Sequence, residues 1–341
     1  MASGSKAVIY AALAGNSAIA VTKFVASALT GSSAMLTEAI HSLVDTGNQV
    51  LLLWGLSRAK QPPDEEFPFG RGKEIYFWSF VVAISIFALG AGVSVIEGVK
   101  HLVAVAQDPD HAQLKDLRIN YVVLGLAMLF EGGALTFALR EFNKARGELG
   151  FFEAIREGKD PSMFLVVFED AAAMAGLVVA FLALVLGQLT HNPYLDGAAS
   201  VVIGLILGAV AIVLARETKG LIIGESASSQ VRQGIRKLVQ GHPIISHLNE
   251  LLTMHMGPDN VLVTMSVDFI DGLASEEVER EVQALNAEIK AAFPSVRRVF
   301  IEVESWVAHK AQVERAHELE LGAHDDEHDD DDEHEQGHDH D

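Results

Sequence analysis

Residues 34–55 read AMLTEAIHSLVDTGNQVLLLWG. The stretch is long and apolar enough to cross a hydrocarbon layer of roughly 30 Å as one helix. Inside it stand His41 and Asp45. Residues four apart share a helical face, so both side chains can reach one ion. Ionisable groups are costly inside a bilayer and mark function by default. An imidazole nitrogen with a carboxylate oxygen is half of a good Zn²⁺ site, and it also suits Co²⁺, Fe²⁺, Mn²⁺ or Ni²⁺. Alone, His41 reads equally well as a hydrogen bond between helices.

Outward from this stretch lie five more apolar runs, at 7–29, 75–99, 119–139, 163–187 and 195–215. Half of the 341 residues are hydrophobic and mean hydropathy is +0.26. No comparable run follows residue 216. The pattern predicts an α-helical membrane protein with six transmembrane helices over residues 1–218 and a small soluble domain over 219–308. An acidic tail over 309–341 is predicted to be disordered. MASGSK at the start is too short for a cleaved leader, so the first run is expected to stay in the membrane.

The formal net charge of −21 is concentrated at the end: residues 324–341 hold eleven acids and no Lys or Arg, leaving −21 + 11 = −10 for the rest. That balance argues against nucleic acid as a partner. The chain has no cysteine, which excludes disulfides and thiolate metal sites. Basic residues concentrate in the 56–74 and 140–162 loops (Arg58, Lys60, Arg71, Lys73; Arg140, Lys144, Arg146, Arg156, Lys159), while the 30–33 and 188–194 loops have none. Both termini are therefore expected in the cytoplasm, with a bacterial inner membrane as the expected setting.

The fifth run carries Glu169 and Asp170. At 1.5 Å per residue, Asp45 lies about 15 Å from the cytoplasmic end of its span and Asp170 roughly 10 Å from the end of its own. Asn16, Asn48 and Glu131 fall near the same level. Polar groups from spans one, two, four and five thus converge on one depth. Glu169 sits about 100° around the helix from Asp170, so one of the two can face elsewhere. Glu131 reads as a proton carrier or structural group as readily as a ligand, and Asn16 and Asn48 read as packing groups or as groups that support a ligand, before ligands themselves.

The stretches Asn16 to Lys23, Gly31-Ser-Ser-Ala34 and Glu38 to Asp45, with the loop Phe69-Gly-Arg-Gly-Lys73, resemble the cation diffusion facilitator family over about residues 6–305. The resemblance implies metal/proton antiport by alternating access, with no cofactor beyond the transported metal, a homodimer held through the soluble domain, and a transport site shared by spans two and five. His41, Asp45 and Asp170 match that site; its fourth position falls on Val166, which cannot bind metal, and adjacent Glu169 is the expected replacement, as in a divergent branch that includes mitochondrial members. Zinc is the first expectation. Histidines that many bacterial members place in the 67–71 loop are replaced by Phe67 and Arg71, so no metal is expected there, and Asp64, Glu65 and Glu66 are expected as solvated loop charges.

In the soluble domain, 228–240 reads as a helix, 247–256 and 260–270 as strands, Ser275 as the N-cap of a second helix ended by Pro294, and 298–304 as a third strand. The order αββαβ suggests a ferredoxin-like α+β fold. By the resemblance this domain can bind metal, and His242, His247, His255, Glu302 and Glu304 are the candidates. His324, His328, His334, His338 and His340 in the tail read as weak metal collectors or as part of a solubilising segment. Two rival readings stand beside transport. An intramembrane metalloenzyme lacks HExxH. A membrane-embedded metal sensor or scaffold would signal through the soluble domain without net transport.

Overall fold

The computed structural model describes residues 2–108, 117–147, 149–157 and 159–316. The five tail histidines from His324 to His340 lie outside them. The chain divides into two compact units, a helical one up to Glu225 and a second beginning at Ser226.

The helical unit contains α1 (Ala2–Thr30), α2 (Ser33–Ala59), α3 (Glu74–Ser85), α4 (Val93–Gln107), α5 (Leu117–Arg146), a short α6 (Phe151–Glu157), α7 (Pro161–Thr190) and α8 (Tyr194–Ile223). α3 and α4 are one continuous rod, joined by a π-helical segment, Ile86–Gly92. Local chemistry sets the ends. Ser32 caps α2 by accepting from the Met35 N–H, 3.1 Å. Asp160 caps α7 by accepting from the Ser162 N–H, 3.0 Å, and Pro161 occupies the first turn, where its missing N–H costs nothing.

The bundle is apolar outside and encloses a group of buried polar residues within an otherwise apolar core. Leu129, Phe130, Leu189 and Leu205 are exposed, whereas Lys23, Glu38, His41, Asp45, Asn48, Glu131, Glu169 and Asp170 are buried. An apolar outer surface suits lipid as solvent, and ionisable groups confined to the interior are what such a solvent requires. Among the described residues, four helical stretches are long and apolar enough to cross a membrane: 74–107, 120–146, 164–190 and 194–223. α1 packs on α2 and α5, α5 on α7, and α4 on α8. Gly98 and Gly197 permit the last contact, since a Cβ on Gly98 would come within 2.8 Å of the Gly197 carbonyl oxygen. Ser32 Oγ donates to Asp196 Oδ1 at 2.7 Å, so the α1–α2 and α7–α8 connections share one end of the bundle. Tyr76 donates to the Lys159 carbonyl, 3.2 Å, at the other.

The second unit runs α9 (Ser229–Gln240), β1 (Ile245–Gly257), β2 (Asn260–Phe269), α10 (Ser275–Ala292) and β3 (Val296–Val303). The sheet order is β1-β2-β3, and β2 pairs parallel with β3, with α10 as the crossover. Val261, Val263, Met265, Val267 and Phe269 are all buried, as period-two alternation requires. They form one core with Ile235, Val239, Leu285 and Ile289.

Two details differ from the sequence reading. The N-cap of α10 is Ala274, with Ser275 the first helical residue. Alanine has no side-chain acceptor, so only half a capping box forms: the Ala274 N–H donates to Glu277 Oε2 at 3.2 Å. Residues 306–316 are helical, although 309 onward was expected to be disordered. The helix has local support, because Ser305 Oγ accepts from the Ala308 N–H at 3.3 Å and Gln312 Nε2 donates to Glu304 Oε1 at 2.7 Å.

Candidate transport site

α2 and α7 bring the site together. His41 Nδ1 lies 3.4 Å from Asp45 Oδ1, as their spacing on α2 allows. The Asp45 carboxyl meets that of Glu169, on α7, at hydrogen-bonding range. Asn48, three residues past Asp45, donates its Nδ2–H to Glu169 Oε1 at 2.8 Å. One face of α2 therefore presents an imidazole, a carboxyl and an amide in sequence, and Glu169 reaches two of them. Two carboxyl groups in contact need a proton or a cation between them.

Asp170 is buried beside this group, within electrostatic reach of Glu169 and Glu131. Among the described residues, no three His, Asp or Glu side chains stand close enough together to hold one ion in this conformation. Glu131 is buried on α5 and within electrostatic reach of Glu38, Asp45, Glu169 and Asp170. Asn16 on α1 is half-buried. Of the two sequence readings of Asn48, packing group or support for a ligand, its bond to Glu169 agrees with the second.

Sequence reasoning passed over a second buried pair. Lys23 Nζ on α1 donates to Glu38 Oε2 at 3.2 Å and to Ser42 Oγ at 2.8 Å, and neither charged side chain has any exposure. The signal was available, since both are ionisable residues within apolar runs.

Elsewhere the candidates scatter. In the 61–73 loop, Arg71 bridges Asp64 at 2.9 Å and lies 3.8 Å from the Phe67 ring centroid. The hydrogen bond from Arg71 holds the Asp64 carboxyl below its usual range. In the second unit, His242 is bracketed by Glu281 at 2.7 Å and Glu288 at 3.1 Å. Burial alone would lower the His242 pKa, but these two carboxylates outweigh it and raise it. His247 packs on Trp306 with ring centroids 4.3 Å apart, His255 is buried, and Glu302 lines a small cavity with Glu250 and Phe300. Glu304 contacts His309 at 3.1 Å, a neighbour the sequence reading did not consider.

A family profile described as the cation efflux transmembrane domain matches residues 9–223, more than half of the chain. The chain belongs to the cation diffusion facilitator family. This facilitator is 32% identical over 240 residues to metal tolerance protein C4 of Arabidopsis thaliana, covering 70% of this chain and 51% of that one. It is 34% identical over 251 residues to the mitochondrial proton-coupled zinc antiporter SLC30A9 of Xenopus laevis, covering 72% and 44%. It is 19% identical over 286 residues to the manganese efflux system protein MneP of Bacillus subtilis, covering 81% and 87%. The facilitator thus resembles mitochondrial-type members, and it spans about half the length of those first two relatives.

Proposed function

We propose that this facilitator exports a divalent cation, zinc first, from the cytoplasm in exchange for protons. One observation carries the reading: the His41–Asp45 pair of α2 and Glu169 of α7, which is tied to the same helix through Asn48, are buried inside a bundle whose outer surface is apolar. Metal is the cargo, and His41, Asp45, Glu169 and Asp170 are its ligands. The mixed nitrogen and oxygen donor set suits zinc, with cobalt, iron, manganese and nickel as further candidates. The relatives' names, zinc for one and manganese for another, lie within that range.

Ligands must be deprotonated to bind, so loading displaces protons and protons expel the ion. Contact between Asp45 and Glu169 supports this exchange, because a proton and a metal ion are alternative ways of bridging the two carboxyls. Loading also requires a side-chain rearrangement that gathers the four ligands around one ion. The helices bearing polar groups, α1, α2, α5 and α7, would rock against the α3–α4 rod and α8. Six spans, cytoplasmic termini, a ferredoxin-like second domain and a homodimer through it complete the proposal.

The test is zinc flux into proteoliposomes under an imposed pH gradient. Wild-type flux is expected to reverse when the gradient is reversed, and Asp45→Ala to lose at least tenfold in rate. Wild-type rates in Asp45→Ala would sink the site assignment. Metal binding without flux in the wild type would favour a sensor.

A further inference from the structure

The Lys23–Glu38 pair has no place in the exchange just described, yet it is among the most buried charge pairs of the facilitator. A buried ion pair gives little net stability, since desolvation offsets attraction. Its position points to a role. Glu38 precedes His41 by three residues, about 4.5 Å along α2 toward the 30–33 end, and Ser42 follows His41 directly, so the ammonium that joins them lies alongside His41 with its carboxylate partner on the 30–33 side. Further toward that end, Ser27 Oγ donates to the Ser32 carbonyl at 3.2 Å, Ser32 holds Asp196, and His101 Nε2 stands 3.8 Å from Asp196 Oδ2. Polar groups therefore continue from Asp45 to the 30–33 connection, and the ion pair lies across that line.

Two further observations agree. A Cβ on Gly176 of α7 would come within 2.4 Å of Glu38 Oε1, so the carboxylate is wedged between α2 and bare α7 backbone. Glu38 Oε1 and both His41 ring nitrogens are buried without a hydrogen-bond partner. Lys23 is also within electrostatic reach of His41, Asp45 and Glu131. A fixed ammonium so placed repels a dication trying to pass.

We propose that Lys23 is a tethered plug: seated on Glu38 and Ser42, its ammonium closes the ion's route between the His41–Asp45 site and the 30–33 end, and it must leave that seat for the ion to pass. The inference rests on the transport reading above.

The facilitator has no cysteine, so one introduced thiol reports alone. Ala20 is buried on α1, one turn from Lys23 on the side away from Thr30. Ala20→Cys in vesicles is treated with a charged, membrane-impermeant maleimide from the side bearing the 30–33 connection. With Lys23 intact, labelling is expected to be slow; Lys23→Met should accelerate it at least tenfold, and Lys23→Arg should keep it slow. If the Met variant does not assemble, Glu38→Gln, which removes the ion pair at constant size, is read in the same way and should accelerate labelling equally. Equal rates with and without the pair, or fast labelling in the Arg variant, would overturn the plug. Zinc flux by the cysteine-free parent is measured in parallel. Absent parental flux counts against the transport reading, whereas normal parental flux with unchanged labelling counts against Lys23 alone.

Discussion

Asn48 donates its side-chain amide to Glu169, across the α2–α7 seam. An amide donor there fixes which carboxylate oxygen remains available to a cation, the orienting role that partners of metal ligands usually fill. Asn48→Leu should therefore weaken zinc affinity by about 10–100-fold while leaving assembly intact. Titration of the detergent-purified variant with a competing zinc dye measures this. His242 offers a test in the other unit. Its folded pKa is raised above the unfolded value of about 6.5. The bond to Glu281 and Glu288 thus stabilises fully below about pH 6.5 and is lost as pH climbs through the higher folded value. Melting of wild type should fall relative to His242→Gln as pH rises above about 6.5, by about 1 kcal/mol or less because Glu288 is half exposed. Parallel melting curves for the two proteins would remove this role.

At the scale of elements, much was legible. Long apolar runs announced the helices, and the alternation from Val261 to Phe269 announced β2, because periodicity reports directly on which face is buried. The His41–Asp45 pair was legible for the same reason. What escaped was pairing between distant helices. Nothing local says that Lys23 meets Glu38 or that Glu169, rather than Asp170, meets Asp45; those contacts depend on how α1, α2 and α7 are rotated against one another. The cap at Ala274 escaped because Ser275 looked the better acceptor; instead the Glu277 carboxylate accepts from the Ala274 N–H and the Glu277 N–H donates to the Ala274 carbonyl, 2.9 Å. Close helix packing supplies an element-scale prediction. Gly98→Leu must push α4 off the backbone of α8, where a Cβ alone would already meet the Val201 N at 2.8 Å. A loss of roughly 1–3 kcal/mol is expected, seen as a lower melting temperature in detergent and reduced yield.

For the whole molecule, the relation to longer relatives sets the question. The facilitator spans about half of their length, yet residues 9–223 match the cation efflux domain and hold every proposed ligand. The 341-residue chain by itself should carry zinc in proteoliposomes, with the flux abolished by a protonophore that collapses the pH gradient. Flux that appears only on adding another polypeptide would show that the machinery is shared.

The π-helical turn at Ile86–Gly92 has a consequence for register. A wide turn accommodates one residue more than an α turn, so everything after it is rotated by about 100° compared with a regular rod. With that offset in place, Gly98 faces Gly197 and Val201 of α8. Deleting a single residue within 86–92 would straighten the count, swing Gly98 toward lipid and bring a neighbouring side chain to bear on Gly197, so the insertion acts as the indexing pin of the rod.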